Sequence, residues 1–530
     1  MLRIKKGLEK LYHLADGFLQ VLAILFSGFL FLCGFLSTCY CQDMESQLVL
    51  TRLDSPLRNA VGIALFLLLI GLPAYAAKCK SPFVNRILFV IISLWIVGMG
   101  AVLILFSKTV PAADAYSVYG IASVLANGDT SVIHPTASYL SYYPQQIGLV
   151  AFYEPLIRLW NLLPFNVPAY HFLKVIYVFL ALIIFYFQYR TVHLLFQNDR
   201  IDFIFMLLTG ANLPFIMYTS FVYGEIPSFA ALEIAIYCFL RMLMALSESH
   251  NRHAVGDAVL ALLFFTVSVQ LRKNSLILII AVVLVSILLW CKHQKPLLLL
   301  FAVLCAVCSV SILPLIQKGY ELRADNTLRS GVTATSYFAM GMQESTRANG
   351  WYNGFNFNTY EGTGMDTELT NEISRAAIRE RFSYFKENPG YAFRFYWLKF
   401  LSQWVDGTYA CRQATLATFG GRQAFFQELY QGKYSGAFIA YCNAFQNIVY
   451  LGLFLCCVGI RKKKIDVKIK GLPFYLGLIG VFGGFLFHMI WEANSRYIFL
   501  YGMLLLPYAA AGIEACLTTV ARFRSLHSTK

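Results

Sequence analysis

NSLILIIAVVLVSILLWC, residues 274–291, carries no charged side chain. A bilayer's hydrocarbon core takes roughly 20 apolar residues to cross as a helix. In that core a helix satisfies its own backbone N–H and C=O groups, which lipid cannot do. The stretch therefore reads as a membrane-crossing helix. Comparable runs occupy 15–37, 58–77, 86–106, 170–188, 201–219, 225–246, 255–270, 296–316, 437–459, 472–490 and 495–516, which gives about 12 spans. Composition agrees: 58% of the 530 residues are hydrophobic, 13% are charged, and the mean hydropathy is +0.60. Soluble domains sit near about 45–50% apolar and 25% charged. A β-barrel would show short alternating segments rather than unbroken apolar blocks. The expected fold class is an all-α polytopic membrane protein.

The net charge of +15 raises nucleic-acid binding, but the location of the cations argues against it. Lys and Arg collect between apolar runs, as they do in the cytoplasmic loops of polytopic proteins. Placing Arg3, Lys5, Lys6 and Lys10 inside puts Lys78, Lys80 and Arg86, Arg190 and Arg200, Arg252, and Lys292 and Lys295 inside as well. The dense run Arg461-Lys-Lys-Lys464 and the tail residues Arg522 and Arg524 follow. Both termini are then cytoplasmic, in a plasma-membrane protein that contacts lipid and no nucleic acid. The segment Met1–Lys10 precedes an apolar stretch longer than a signal-peptide core, with no small-residue cleavage site, so it reads as a retained anchor. Of the thirteen cysteines, Cys33, Cys238, Cys305, Cys308, Cys456 and Cys457 fall inside apolar runs and read as small hydrophobes. Cys39 and Cys41 are too close to suggest a mutual bridge, and no metal motif or cofactor-binding signature is present.

This topology divides the chain into a hairpin over 1–85, a core over 86–316 with a first large outer loop at 108–169, an extracytoplasmic domain of mixed structure over 317–436, and a C-terminal portion over 437–530. In the second outer segment Thr367–Glu387 reads as a surface helix stopped at Asn388-Pro389-Gly390. Tyr391–Val405, with Arg394 and Lys399 among its aromatics, reads as a helix at the membrane interface. No internal repeat is evident.

Ionisable residues at membrane depth or at its rim are costly and default to functional hypotheses. Asp114, in Val110-Pro-Ala-Ala-Asp-Ala-Tyr-Ser-Val-Tyr119, fits a general base or a helix N-cap. Tyr142-Tyr-Pro-Gln-Gln-Ile-Gly148 leads into a helix and offers Tyr143, Gln145 and Gln146 to a polar ligand; a structural junction explains it equally. In Tyr223-Gly-Glu-Ile-Pro227, Glu225 suits either chemistry or the positive end of the helix it begins. Leu271-Arg-Lys-Asn-Ser275 puts Arg272 and Lys273 on the outer side, against the charge bias of the inner loops. Adjacent cations there suit a phosphate, which Arg holds bidentately, or ordinary anionic lipid. In Trp491-Glu-Ala-Asn-Ser-Arg-Tyr497, Glu492 and Arg496 suit an i,i+4 pair or a sugar-phosphate contact. His488 reads as a packed histidine. Asp325, Glu344, Arg347, Trp351 and Asp406 are weaker candidates, and no phosphate-cradling glycine loop is present.

The order of Ala113-Asp-Ala-Tyr, Tyr-Pro-Gln-Gln, Tyr223-Gly-Glu-Ile-Pro, Arg272-Lys-Asn and Glu492-Ala-Asn-Ser-Arg-Tyr resembles the GT-C membrane glycosyltransferases. It looks specifically like the bacterial branch related to protein O-mannosyltransferases and the lipid A aminoarabinose transferase. The resemblance spans about 86–516 and implies transfer of a sugar, with inversion, from a polyprenyl-phosphate-sugar donor to an envelope glycan, lipid or protein at the outer face. It implies catalytic roles for Asp114 and Glu225, phosphate contacts from Arg272, Lys273 and Arg496, and substrate contacts from Tyr143, Gln145, Gln146, Tyr223, Asn274 and Glu492. No metal or cofactor is implied. The O-mannosyltransferases carry an Asp-Glu pair where Ala115 follows Asp114 here, and 1–85 is an added hairpin; both leave the acceptor open. A lipid-linked-sugar transporter or flippase, and a surface polysaccharide polymerase or ligase, are the competing expectations.

Overall fold

A computed structural model describes residues 2–44, 46–76, 81–107, 109–136, 138–416 and 424–528. Lys78, Lys80 and Lys108 lie outside these residues, as do the side chains of Arg3, Lys5, Arg522 and Arg524.

The chain opens with α1 (Leu2–Leu36), an antiparallel hairpin of β1 (Ser37–Asp43) and β2 (Leu48–Leu53), α2 (Pro56–Ala76) and α3 (Pro82–Val102), which ends in one π-helical turn at Leu103–Ser107. The loop expected on the outer side, 108–169, holds α4 (Ala113–Ala126), α5 (Tyr139–Tyr142) and α6 (Ile147–Asn161). Then come α7 (Ala169–Phe196), α8 (Asp199–Ala211), α9 (Leu213–Tyr218), α10 (Glu225–Ser247), α11 (Asn251–Leu271), α12 (Leu276–His293) and α13 (Pro296–Ala324). The second outer segment contains α14 (Ala334–Gly341), α15 (Phe355–Gly362), α16 (Thr367–Glu387), α17 (Pro389–Trp404), α18 (Cys411–Leu416) and α19 (Ala424–Tyr430). The bundle closes with α20 (Ser435–Arg461), α21 (Leu476–Ile490) and α22 (Ser495–Ser528).

Among the described residues eleven helices are long and apolar enough to cross a bilayer; the expected twelfth span, 201–219, is broken. Pro214 has no N–H to donate, and its ring would collide with the carbonyl four residues back. That carbonyl, on Gly210, instead accepts from Trp95 Nε1 at 3.0 Å, and the Ala211 carbonyl accepts from Tyr441 at 2.7 Å. Asn212 caps the second piece by accepting from the Phe215 amide. The broken pair still runs the length of the bundle. The start of α8 sits beside that of α3 (Asn85 Nδ2 to the Asp199 carbonyl, 3.0 Å), and the end of α9 reaches Tyr409 through the Tyr218 hydroxyl. Counting the broken α8–α9 pair as one passage, the described chain runs the length of the bundle twelve times, so the start of α1 and the end of α22 share one end of it. There Tyr12 meets Leu472, Lys292 covers the Tyr12 ring at 4.3 Å, and Tyr508 of α22 donates to Phe474.

α10 and α22 are buried along most of their length. By contrast α2 and α3 turn Leu65, Leu68, Leu69, Ile87, Val90, Ile91 and Leu94 outward, as a lipid-facing rim requires. α20 and α22 approach so closely that a Cβ on Gly512 would fall 1.8 Å from the Gly452 carbonyl oxygen. The second outer segment is helical rather than mixed; among the described residues the sheet belongs to the unanticipated hairpin β1–β2. That hairpin is stitched to the outer segment by Val49 N to the Arg347 carbonyl (3.0 Å) and Cys39 N to the Val405 carbonyl (3.2 Å). α16 begins where Asp366 accepts from the Leu369 amide and ends at Asn388, matching the sequence reading. α17 lays Trp397 and Phe400 against Phe29 of α1. Its aromatic side thus packs on the bundle, while Phe393 stays exposed. The described cysteines are free thiols.

Candidate functional site

Four short segments meet at the end of the bundle opposite the one holding Tyr12 and Lys292. Tyr223-Gly224 precedes α10, and Arg272 lies between α11 and α12. A Cβ on Gly224 would sit 2.7 Å from the Leu271 carbonyl, and one on Gly148 would sit 2.1 Å from the Gln270 carbonyl. Only glycine lets the Tyr223 and Gln146 segments close on the Arg272 turn so tightly.

Glu225 is the first residue of α10, 5% exposed, and Gly224 occupies the cap position without a side-chain bond. Its carboxylate faces the Arg272 Nη2 at 2.8 Å and the Arg496 Nε at 3.5 Å. Neither contact is aligned as a hydrogen bond. Both Glu225 oxygens, the Arg496 Nε and the neighbouring Ser495 hydroxyl lack a hydrogen-bond partner although buried. Such groups normally find a partner, and a cluster of them suits a polar ligand. The Arg496 guanidinium also lies over Phe221, Tyr223 and Tyr497 at 5.6–5.7 Å, and that of Arg272 over Tyr223 at 5.2 Å and Tyr497 at 5.7 Å. Two cations thus share an aromatic floor and one carboxylate. The i,i+4 pairing of Glu492 with Arg496 does not form: Glu492 accepts from Tyr497 at 3.0 Å, and Arg496 turns to Glu225.

Asp114 stands in the first turn of α4, but Ala112 holds the cap position and no side-chain cap bond forms. The capping explanation for Asp114 is thereby removed. The Tyr139 phenol feels the Asp114 carboxylate. Burial, then Tyr223 and Asp114, drive the phenol's pKa well above its ordinary value. Tyr143 is raised too, by burial first and then by Tyr352, Asp114 and Glu492. Asp114 also acts electrostatically on Tyr223 and Tyr337. It therefore faces the same space as the guanidiniums. Gln146 donates to the Tyr223 hydroxyl at 2.6 Å, and the Tyr223 carbonyl accepts from Tyr177, itself bonded to Tyr153.

Glu492 sits in the turn before α22. Burial lifts its carboxyl to about 7, with Asp114 pushing further and the Tyr497 hydrogen bond and Arg496 pulling back. Trp491 stacks on Tyr337 of α14 at 5.4 Å. His488 is fully enclosed and stacks on Tyr497.

The structure brings Asp114, Tyr143, Gln146, Tyr223, Glu225, Arg272, Glu492 and Arg496 together. Lys273 is exposed and forms no ion pair with Glu225, while Gln145 and Asn274 are half-buried. Among the described residues no side-chain hydrogen bond ties these last two to the cluster. Asp325 is the left-handed C-cap of α13, Glu344 accepts from Tyr391, and Trp351 donates to Ser402. Arg347 covers the Tyr352 ring, and Asp406 holds its own turn through Thr408 and Ala410. Tyr139, Tyr337, Tyr352, Tyr497 and Lys399 are neighbours that sequence reasoning did not select. Tyr497 was legible, one residue past Arg496; the others arrive from distant segments and carry no local signal. Among the described residues no three His, Cys, Asp or Glu side chains converge as metal ligands. The assembly offers an acidic acceptor of protons, a pair of fixed cations and a wall of phenols. No protein-family model, curated protein or solved structure matches this chain.

Proposed function

We propose that the protein is an inverting membrane glycosyltransferase that moves a sugar from a polyprenyl-phosphate donor to an envelope acceptor at the non-cytoplasmic face. The end rich in Arg190, Lys292, Lys295 and Arg461 is assigned to the cytoplasm by the charge rule, which leaves the Asp114–Arg272–Arg496 end outside. The observation that carries the reading is the pair of guanidiniums converging on Glu225 with buried polar atoms unsatisfied. Two cations and one carboxylate leave one positive charge, which matches the single negative charge of a phosphodiester.

In this mechanism the acceptor hydroxyl oxygen attacks the anomeric carbon as the bond from that carbon to the phosphate oxygen breaks. Asp114 takes the hydroxyl proton. The lipid phosphate leaves with its negative charge held by Arg272 and Arg496, an arrangement already formed before charge develops and therefore effective. Lys273, exposed at the rim, meets the phosphate as it approaches. Glu225, expected from the sequence as a second catalytic carboxylate, holds both guanidiniums in place and is given a positioning role. Tyr143, Gln146 and Tyr223 contact the sugar.

Asp114→Asn tests the reading. Removing a general base costs roughly 10²–10⁴ in rate. The variant should abolish an envelope sugar modification, visible in glycan and lipid profiles, while retaining binding of the polyprenyl-phosphate sugar. Unchanged profiles would point instead to a transporter or a polymerase that uses the same cations without a base.

A further inference from the structure

Lys399 projects from α17, in the outer domain, into an interior where it is 0% exposed. A buried ammonium is expensive unless its protons are bonded. Here Nζ donates to the Gly341 carbonyl at 2.5 Å and to the Trp491 carbonyl at 2.7 Å. The first acceptor ends α14; the second is the residue before Glu492. Two glycines make room for it. A Cβ on Gly350, whose φ is +70°, would lie 2.5 Å from Lys399 Cε, and one on Gly341 would lie 2.5 Å from the Ile490 carbonyl. The same turn is bonded to the outer domain a second time: Ala493 N donates to the Gly350 carbonyl at 2.8 Å, and Trp351 pairs with Ala493 as an isolated bridge. Trp351 in turn donates to Ser402, one helical turn from Lys399.

From that turn the connections lead to the cation pair. Glu492 accepts from Tyr497, and the Tyr497 ring lies beneath both Arg272 and Arg496. We propose that Lys399 is a positioning residue: its ammonium ties the outer domain to the Trp491–Asn494 turn and so fixes Glu492, Tyr497 and the two guanidiniums for the donor phosphate. The inference rests on the transferase reading for its functional half; the structural half stands without it. It assigns the outer domain a role in shaping the site in addition to any contact with acceptor.

The charged and titratable groups acting on Glu492 are Arg496 and Tyr497 from α22, Asp114 from α4, Tyr143 from the turn before α6, Tyr337 from α14, Arg347 and Tyr352 from the segment between α14 and α15, and Lys399 from α17. Burial lowers the Lys399 ammonium to about 7, with Glu492 opposing that shift. By reciprocity a protonated Lys399 favours ionised Glu492, so its loss should move the Glu492 titration upward.

Lys399→Met and Lys399→Arg, made in the full chain and reconstituted in lipid nanodiscs, test the proposal. Hydrogen exchange at the Ala493 amide reports the turn directly. Loss of the buried ammonium bonds in Lys399→Met should speed that exchange by about tenfold or more, lower binding of polyprenyl phosphate, and shift the pH midpoint of binding upward. Lys399→Arg keeps the charge and should leave the midpoint near its original place even if packing suffers. An Ala493 exchange rate unchanged in a folded Lys399→Met protein would overturn the latch. A loosened turn with undisturbed polyprenyl-phosphate binding would instead overturn the placement of the donor site beside it. A fall in thermal stability alone, with the pH midpoint unmoved, would reduce Lys399 to a packing residue and also overturn the proposal.

Discussion

At the scale of single residues, the site is governed by which charges have partners. Arg496 contacts Glu225, three aromatic rings and no aligned acceptor, so its charge remains available for a ligand. Arg496→Met should cost about 10²–10³ in kcat, as removal of a preorganised charge-stabilising donor does elsewhere. Steady-state transfer assays with lipid-phosphate sugar would measure it, and a change confined to KM would mean that Arg496 binds ground state and transition state alike. Glu492, lifted to about 7 by burial, gives a pH signature. Below about 7 its carboxyl is neutral and tolerates an incoming phosphate; above, it becomes an anion and repels one. The donor KM is therefore expected to rise as pH increases through 7, and Glu492→Gln should flatten that rise. Most of these residues were legible in the sequence because charge beside an apolar run is conspicuous. Their partners were not. That Arg496 would leave Glu492, four residues away, for Glu225 on another helix depends on the first turns of α10 and α22 meeting at one end of the bundle, which no local pattern encodes.

At the scale of elements, glycines and prolines decide how closely helices approach. Gly512 and Gly452 bring α20 and α22 into backbone contact, the kind of small-residue packing that joins helices where water supplies no hydrophobic drive. Gly512→Ala forces the two apart and should destabilise the protein by about 1–3 kcal/mol, read as an earlier unfolding midpoint in detergent or nanodiscs. An unaltered midpoint would show that the helices separate freely. The α8–α9 break was foreseeable from Pro214, yet an apolar count over 201–219 passes across it, because hydropathy averages ignore a missing N–H. Thr367–Glu387 was read to the residue since its start and stop are both local: Asp366 caps it and Pro389 follows its end. The β1–β2 hairpin escaped notice because Ser37–Leu53 looked like a connecting loop. Its alternation of Thr38, Tyr40, Val49 and Thr51 was the available signal.

At the scale of the whole molecule, a shared site requires its residues to lie on one side. The helices place Tyr12, Lys292 and the Arg461–Lys464 run at one end of the bundle and collect Asp114, Glu225, Arg272, Glu492 and Arg496 at the other. This much followed from hydropathy and from the distribution of basic residues, which are whole-chain properties that survive errors in any single boundary. The outer domain's hold on the 491–494 turn did not follow, since it is built from backbone carbonyls and glycines. Labelling with a membrane-impermeant maleimide in intact cells tests the arrangement most directly, using Asp129→Cys, Lys273→Cys and Lys462→Cys against the native thiol background. Asp129 lies in the loop that carries Asp114, and Lys273 is exposed next to Arg272. The account predicts labelling of the cysteines at 129 and 273 without permeabilisation, and of that at 462 only after it. Labelling of 129 and 273 from opposite faces would separate the carboxylate from the cations and contradict the existence of a shared site.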